Sequence, residues 1–195
     1  MKTTISFGNL TQQFVASLRI LPFTVVICCG LYTVIIFLAA QVVPYSSSGS
    51  LIRSEKGEVV GSELIAQQFT LPKYFWPRPS DVSWNAANAG GSNLSPASLA
   101  MRKKTKKLLA PFALKQGEKV PTDLVTSSGS GLDPHISLAA AKFQASRVAR
   151  ARGLSIAQVM AIINNPANGK TTILLLNESL VNVLLLNRSL DRLQN

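Results

Sequence analysis

The sequence predicts a single N-terminal transmembrane helix followed by one mixed α+β extracytoplasmic domain. Three observations carry that prediction. Ile20 to Ala40, ILPFTVVICCGLYTVIIFLAA, is a run of 21 residues without a charge. At ~1.5 Å per residue it spans about 31 Å, close to the ~30 Å hydrocarbon core of a bilayer. The chain after the run holds segments of helical and of strand-like character and no second stretch of that length. All 9 acids, and all but Lys2 and Arg19 of the 20 lysines and arginines, lie beyond the run.

The boundaries follow from the same residues: a tail at 1–19, a span at 20–43, a linker at 44–50 and a domain at 51–195. The span competes with a cleaved secretory signal, whose apolar region is only ~7–15 residues and ends at a small-x-small site. Leu38 breaks that pattern before Ala40, and the length favours an uncleaved anchor. Pro22 is expected in the first helical turn, where its missing N–H costs little. Gly30 lies mid-span and Tyr45 just past it, suited to a membrane interface. Phe14, Val15 and Leu18 have near-helical spacing, so the helix can begin before Ile20. Lys2 and Arg19 with no acid place the tail in the cytoplasm and the domain outside a plasma (inner) membrane. The basic domain does not reverse this, because long domains translocate largely regardless of charge.

Composition removes several chemistries. Both cysteines, Cys28 and Cys29, fall in the span, so the domain has no disulfide. With His135 as the one histidine, a transition-metal site is not expected. The formal net charge of +11 suggests anionic partners. Outside a cell membrane these are headgroups or acidic proteins, not nucleic acid.

Along the domain, Leu51–Arg53 and Glu58–Ile65 read as extended segments about a Lys56-Gly57 turn. Residues 70–98 carry four prolines and also Tyr74, Phe75, Trp76 and Trp84. So aromatic a loop is expected to be ordered. A helix is expected from about Pro96 to Leu114, capped by Ser95, with Arg102, Lys103, Lys104, Lys106 and Lys107 on its exposed face. Val120–Thr126 reads as a short strand. Ser137 caps a helix whose apolar side is Leu138, Ala141, Ala145 and Val148, and Gly153 ends it. Ser155 with Gln158 forms a capping box for a helix with Ile156, Val159, Met160 and Ile163 on one side, stopped at Asn165-Pro166. The apolar runs Ile173–Leu176 and Leu180–Leu186 are too short to span a bilayer and read as buried strand or core helix. Leu190 and Leu193 form a last amphipathic turn.

Two catalytic look-alikes fail on spacing. Asn164–Thr171, NNPANGKT, has the Gly-Lys-Thr of a phosphate-binding loop, but Asn164 stands where the first glycine is needed. Asn168-Gly169 is therefore a turn. Ser130 lies between Gly129 and Gly131, but the nucleophile elbow needs glycine at 128 and 132, which are Ser128 and Leu132. A serine hydrolase using Ser130 and His135 is the weakest reading.

The order of motifs resembles a known family. The span is followed by Gly49-Ser50-Leu51-Ile52, Gly61-Ser62, Leu64-Ile65, Gln67 and Phe69. Then come Tyr74-Phe75-Trp76, Arg78-Pro79-Ser80, Gly90-Gly91-Ser92-Asn93-Leu94, and Ser128-Gly129-Ser130-Gly131-Leu132-Asp133-Pro134-His135-Ile136-Ser137. Arg147–Arg152, RVARAR, completes the series. Over nearly the whole chain this is similar to KdpC, the small subunit of the bacterial Kdp potassium-transporting P-type ATPase. Ala89 stands where the family pattern usually has serine, and the basic face at 102–107 is heavier than the family pattern.

The resemblance implies a complex with KdpA, the channel-like potassium subunit, KdpB, the ATPase phosphorylated by ATP, and KdpF, a tiny membrane peptide. It implies no cofactor in this chain, ATP, Mg and potassium being handled by the partners. It implies an assembling and stabilising role, with the domain above the potassium entry face of KdpA. Gln67, Tyr74, Phe75, Trp76, Arg78, Gly90, Gly91, Ser92, Asn93, Ser128, Gly129, Ser130, Gly131, Asp133 and His135 are the family-motif residues expected to meet partners or to pack the domain itself. The alternative is a free-standing anchored protein that binds a small ligand between Gly90–Asn93 and Ser127–Gly131.

Overall fold

The computed structural model describes residues 7–54, 56–112, 114, 117–168, 170–173 and 178–193. The chain divides between Gly49 and Ser50 into two units. The N-terminal one is a helical run: α1 (Phe7–Val25), a π-helical turn (Val26–Leu31) and α2 (Tyr32–Ala40). Its segment Leu10–Ala40 is long and apolar enough to cross a membrane. Phe23 is 71% and Phe37 64% exposed. Water penalises such apolar surface by ~25 cal/mol per Å², and a lipid medium removes the penalty.

The helix starts before Ile20, so residues 7–19 are helical and Pro22 lies inside α1 rather than in a first turn. Pro22 cannot donate to the preceding turn. The regular helix stops at Ala40, short of Val43, and Pro44 opens the one-turn helix α3 (Pro44–Ser47). In the π turn the Tyr32 N–H donates to Ile27, five residues back, which inserts one extra residue across Cys28, Cys29 and Gly30.

The second unit opens with a hairpin, β1 (Leu51–Arg53) antiparallel to β2 (Val59–Ser62), with Gly57 at φ +82° in its turn. β2 ends earlier than the sequence suggests, because the chain turns at Glu63-Leu64. Helix α4 (Leu99–Leu109) is capped by Ser98, whose hydroxyl accepts the Met101 N–H, and not by Ser95. Ser95-Pro96 forms a preceding turn closed by the Ser98 N–H on the Ser95 carbonyl at 3.0 Å, with proline at its favoured second position. Pro111 halts α4, which tightens into a 3-10 turn over Ala110–Phe112.

Val120–Thr126 is not a strand. Thr122–Leu124 forms a 3-10 turn that buries Leu124 and aims Asp123 at Ser137. β3 (His135–Ser137) follows, then α5 (Leu138–Arg152), capped by Ser137 and closed by Gly153 at φ +66°. The capping box of Ser155 and Gln158 starts α6 (Ile156–Asn164). β4 (Lys170–Ile173) and β5 (Glu178–Asn182) are antiparallel neighbours, with β5 central between β3 and β4. A strand, not a helix, thus follows the look-alike phosphate loop. Gly169 and residues 174–177, which include the end of the first apolar run, lie outside the described residues. The second apolar run changes from strand to helix at Asn182, whose side chain caps α7 (Val183–Arg192) through the Leu184 and Leu185 N–H groups.

Helices α5, α6 and α7 and the three-stranded sheet enclose the core: Ile136, Ala141, Val148, Val159, Ile163, Val181, Leu186 and Leu190, joined by Phe75 and Leu124 from loops. Ile156 and Leu193 stay exposed. The alanine-rich face of α5 keeps its side chains short, which lets α6 and the sheet approach closely.

Candidate partner-docking site

The motif loops converge from residues far apart in the chain. Two side-chain amides hold the aromatic loop. Asn187, on α7 and 1% exposed, receives the Phe75 N–H at 2.8 Å and donates to the Phe75 carbonyl at 2.9 Å. Gln144, on α5, does the same for Trp76 at 2.9 and 3.1 Å. Each amide imitates a strand edge and satisfies a loop that has no sheet neighbour. Phe75 is therefore wholly inside the core.

Trp76 is half-buried and lies under the Arg147 guanidinium, 3.8 Å from the ring centroid. Arg147 also donates to the Pro72 and Tyr74 carbonyls. Burial lowers its pKa to about 10, so it stays charged at neutral pH. Tyr74 donates to Asp191 at 3.2 Å, and Arg152 bridges to the same carboxylate at 2.7 Å. Gln67 donates to the Val60 carbonyl at 2.7 Å over Gly61, where a Cβ would lie 2.2 Å from the Gln67 amide nitrogen.

The glycine-serine loops meet face to face. The Gly90 N–H donates to the Ser130 carbonyl at 2.8 Å, and a Cβ on Gly91 would sit 3.0 Å from the Gly129 carbonyl. Gly131 has φ +71°, and a Cβ there would lie 2.6 Å from Val82 Cγ2 and 2.9 Å from the Gly90 carbonyl. Ser128 is buried and donates its N–H to Pro79. Ser80 Oγ accepts the Val82 and Trp84 N–H groups, holding Ser83 and Trp84 at positive φ. The space that the small-ligand alternative requires between the two loops is taken up by their own backbones. Asn93, itself at φ +51°, is exposed, as are Gly129 and Ser130. Ser92 is half-buried and caps the Leu94 N–H. Ser130 Oγ accepts the Leu132 N–H, and no hydrogen bond joins it to His135 among the described residues.

Arg78 ties the aromatic loop to the last motif, 3.1 Å from Asp133 and 3.4 Å from the Ser127 carbonyl. Asp133 also accepts the His135 N–H at 3.0 Å, and the His135 ring stands 3.6 Å away, an ion-pair separation rather than a hydrogen bond. Burial works to raise the Asp133 pKa. The His135 ring and N–H and the Arg78 guanidinium outweigh it, and the net direction is downward. A carboxyl with a lowered folded pKa gives stability that is complete above its unfolded value, ~3.9, and lost as pH falls through the folded one. The chain is thus expected to lose stability below about pH 4. Asp133→Asn should flatten that loss, read as the urea midpoint between about pH 5 and pH 3. An unchanged slope in the variant would refute the assignment.

Among the described residues, no three His, Cys, Asp or Glu side chains converge to hold a metal ion. Lys104, expected on the exposed face of α4, is partly buried and paired with Asp81 and Ser127. Residues 14–192 match the family model described as KdpC: K+-transporting ATPase, c chain.

The chain belongs to the KdpC family.

Curated relatives agree. The chain is 44% identical to the potassium-transporting ATPase KdpC subunit of Parvibaculum lavamentivorans, covering 94% of this chain and 98% of that one. It is 44% identical to that of Geobacter sulfurreducens, covering 91% and 96%, and 40% identical to that of Myxococcus xanthus, covering 93% and 88%. The motif residues named from the sequence lie in the loops just described. The sequence alone missed Gln144, Asn187 and Asp191 among the groups that hold them, and it marked Arg147 and Arg152 as part of a motif without this role. The one local signal was their placement on amphipathic helices, polar residues at positions facing the core.

Proposed function

We propose that this chain is the non-catalytic accessory subunit that assembles and stabilises a high-affinity, ATP-driven potassium importer. Full-length similarity to KdpC subunits of potassium-transporting ATPases is the observation that carries this reading. Its partners are then KdpA, KdpB and KdpF. The N-terminus is cytoplasmic, the apolar helix anchors the chain in the inner membrane, and residues 51–195 form the outer domain. ATP, Mg and potassium are handled by the partner subunits. Any effect on nucleotide affinity is allosteric, since an outer domain cannot touch a cytoplasmic site.

The geometry supports a docking role for the glycine-serine loops. Their backbones are locked by internal bonds, while Asn93, Gly129 and Ser130 stay exposed at the crest. Small residues on a rigid loop let a partner's backbone approach closely at little cost in ordering.

The test is potassium uptake at micromolar external potassium in cells lacking this chain, with the membrane content of KdpA and KdpB measured alongside. Uptake is expected to be lost, and the partners are expected to fail to co-purify. Unchanged uptake with assembled partners would overturn the proposal.

A further inference from the structure

Helix α4 has a basic face that the domain does not use. Arg102, Lys103, Lys106 and Lys107 are exposed, and none has a side-chain partner among the described residues. No acid lies on α4. Lys104, held by Asp81 and Ser127, pins the helix to the neighbouring loops. The other flank of α4 lines an apolar groove of about 250 Å³, walled by Trp76, Trp84, Leu108, Pro111 and Phe112, with Lys107 at its lining. The Trp84 indole Nε1 in this wall is buried without a hydrogen-bond partner. The juxtaposition is that of an interfacial protein surface, exposed cations beside a groove of half-buried aromatic and apolar side chains.

We propose that α4 and its groove dock onto the anionic phospholipid headgroups of the bilayer that holds the anchor. The inference rests on the anchor reading above. One observation selects lipid over other anionic partners: the face joins free cations to an aromatic groove, so phosphate and the apolar ground beneath it are met together. Each basic side chain near an anionic bilayer strengthens association by roughly fivefold, an effect that fades with salt.

The chain carries its own probe. Its two tryptophans, Trp76 and Trp84, both line the groove, and the anchor has none. The full chain is placed in nanodiscs of phosphatidylcholine, with or without phosphatidylglycerol brominated on its acyl chains, which quenches tryptophan on contact. Quenching by brominated phosphatidylglycerol is expected, reduced at least twofold by high salt or by the combined Lys103→Gln, Lys106→Gln and Lys107→Gln changes. Equal quenching by brominated phosphatidylcholine alone would overturn the role of charge and with it the proposal. No quenching in a chain that co-purifies with the discs would overturn docking, leave the anchor standing, and assign the face to another occupant such as an acidic protein surface. A chain that fails to enter the discs would overturn the anchor reading and the docking together.

Discussion

Asn187→Leu is expected to cost the domain about 2–6 kcal/mol, a large part of the ~5–15 kcal/mol that holds a typical domain folded. Leucine keeps the branched skeleton of four side-chain heavy atoms that asparagine has, so the lost hydrogen bonds are the main change. It strands the Phe75 N–H and carbonyl, both of which are served by the Asn187 side chain. A buried polar backbone group without a partner costs roughly 1–3 kcal/mol. Phe75 then loses its anchor as well, and a fully buried phenylalanine is itself worth ~3–5 kcal/mol on truncation to alanine. The two changes act on one contact, so Asn187→Leu with Phe75→Ala should cost clearly less than their sum. Urea unfolding of the full chain in detergent, followed by tryptophan emission, measures this. A loss under about 1 kcal/mol for Asn187→Leu would show that the loop finds other partners and that the amide clamp is not what holds it.

Gly131→Ala is expected to be the second costly change, and a matched control isolates its cause. Gly131 and Gly153 both sit in the left-handed region, at φ +71° and +66°. A side chain there costs roughly 1–2 kcal/mol on conformation alone. At Gly153 a Cβ would meet nothing within 4 Å, so Gly153→Ala should show that amount and no more. At Gly131 the Cβ would press on Val82 and on the Gly90 carbonyl, which is backbone and cannot swing aside. Overpacking adds ~1–3 kcal/mol, and its relief would separate Gly90 from Ser130. Gly131→Ala should therefore cost about twice as much as Gly153→Ala. It should also lower recovery of the partner subunits on co-purification, because the crest of the docking loops moves. Equal costs at the two glycines would show that the loops do not pack as tightly as the distances state.

The features legible in the sequence were those written in a few neighbouring residues. The apolar run shows in the composition of one continuous stretch, while the caps at Ser137 and Ser155, the glycine stop at Gly153 and the hairpin turn at Gly57 each depend on chemistry within about one helical turn. Local rules failed where two local solutions compete. Ser95 and Ser98 are both plausible caps, and the Pro96 turn decided for Ser98. Val120–Thr126 has strand-like residues but no strand beside it, and Asp123 bends the chain to meet Ser137. The motif residues could be read from the sequence as a set along the chain, but not as a surface. Phe75 is joined to Asn187 across 112 positions, Tyr74 to Asp191 across 117, Trp76 to Gln144 across 68 and Arg78 to Asp133 across 55. The sequence by itself determined an N-terminal helix long and apolar enough to cross a membrane, both ends of α5 and the start of α6, the composition of the loops and, through their order, the family. Only the tertiary structure decided which aromatic is buried, which cations are free and which glycines touch. Those depend on groups that share no periodicity or spacing along the chain and meet only when the core brings them together.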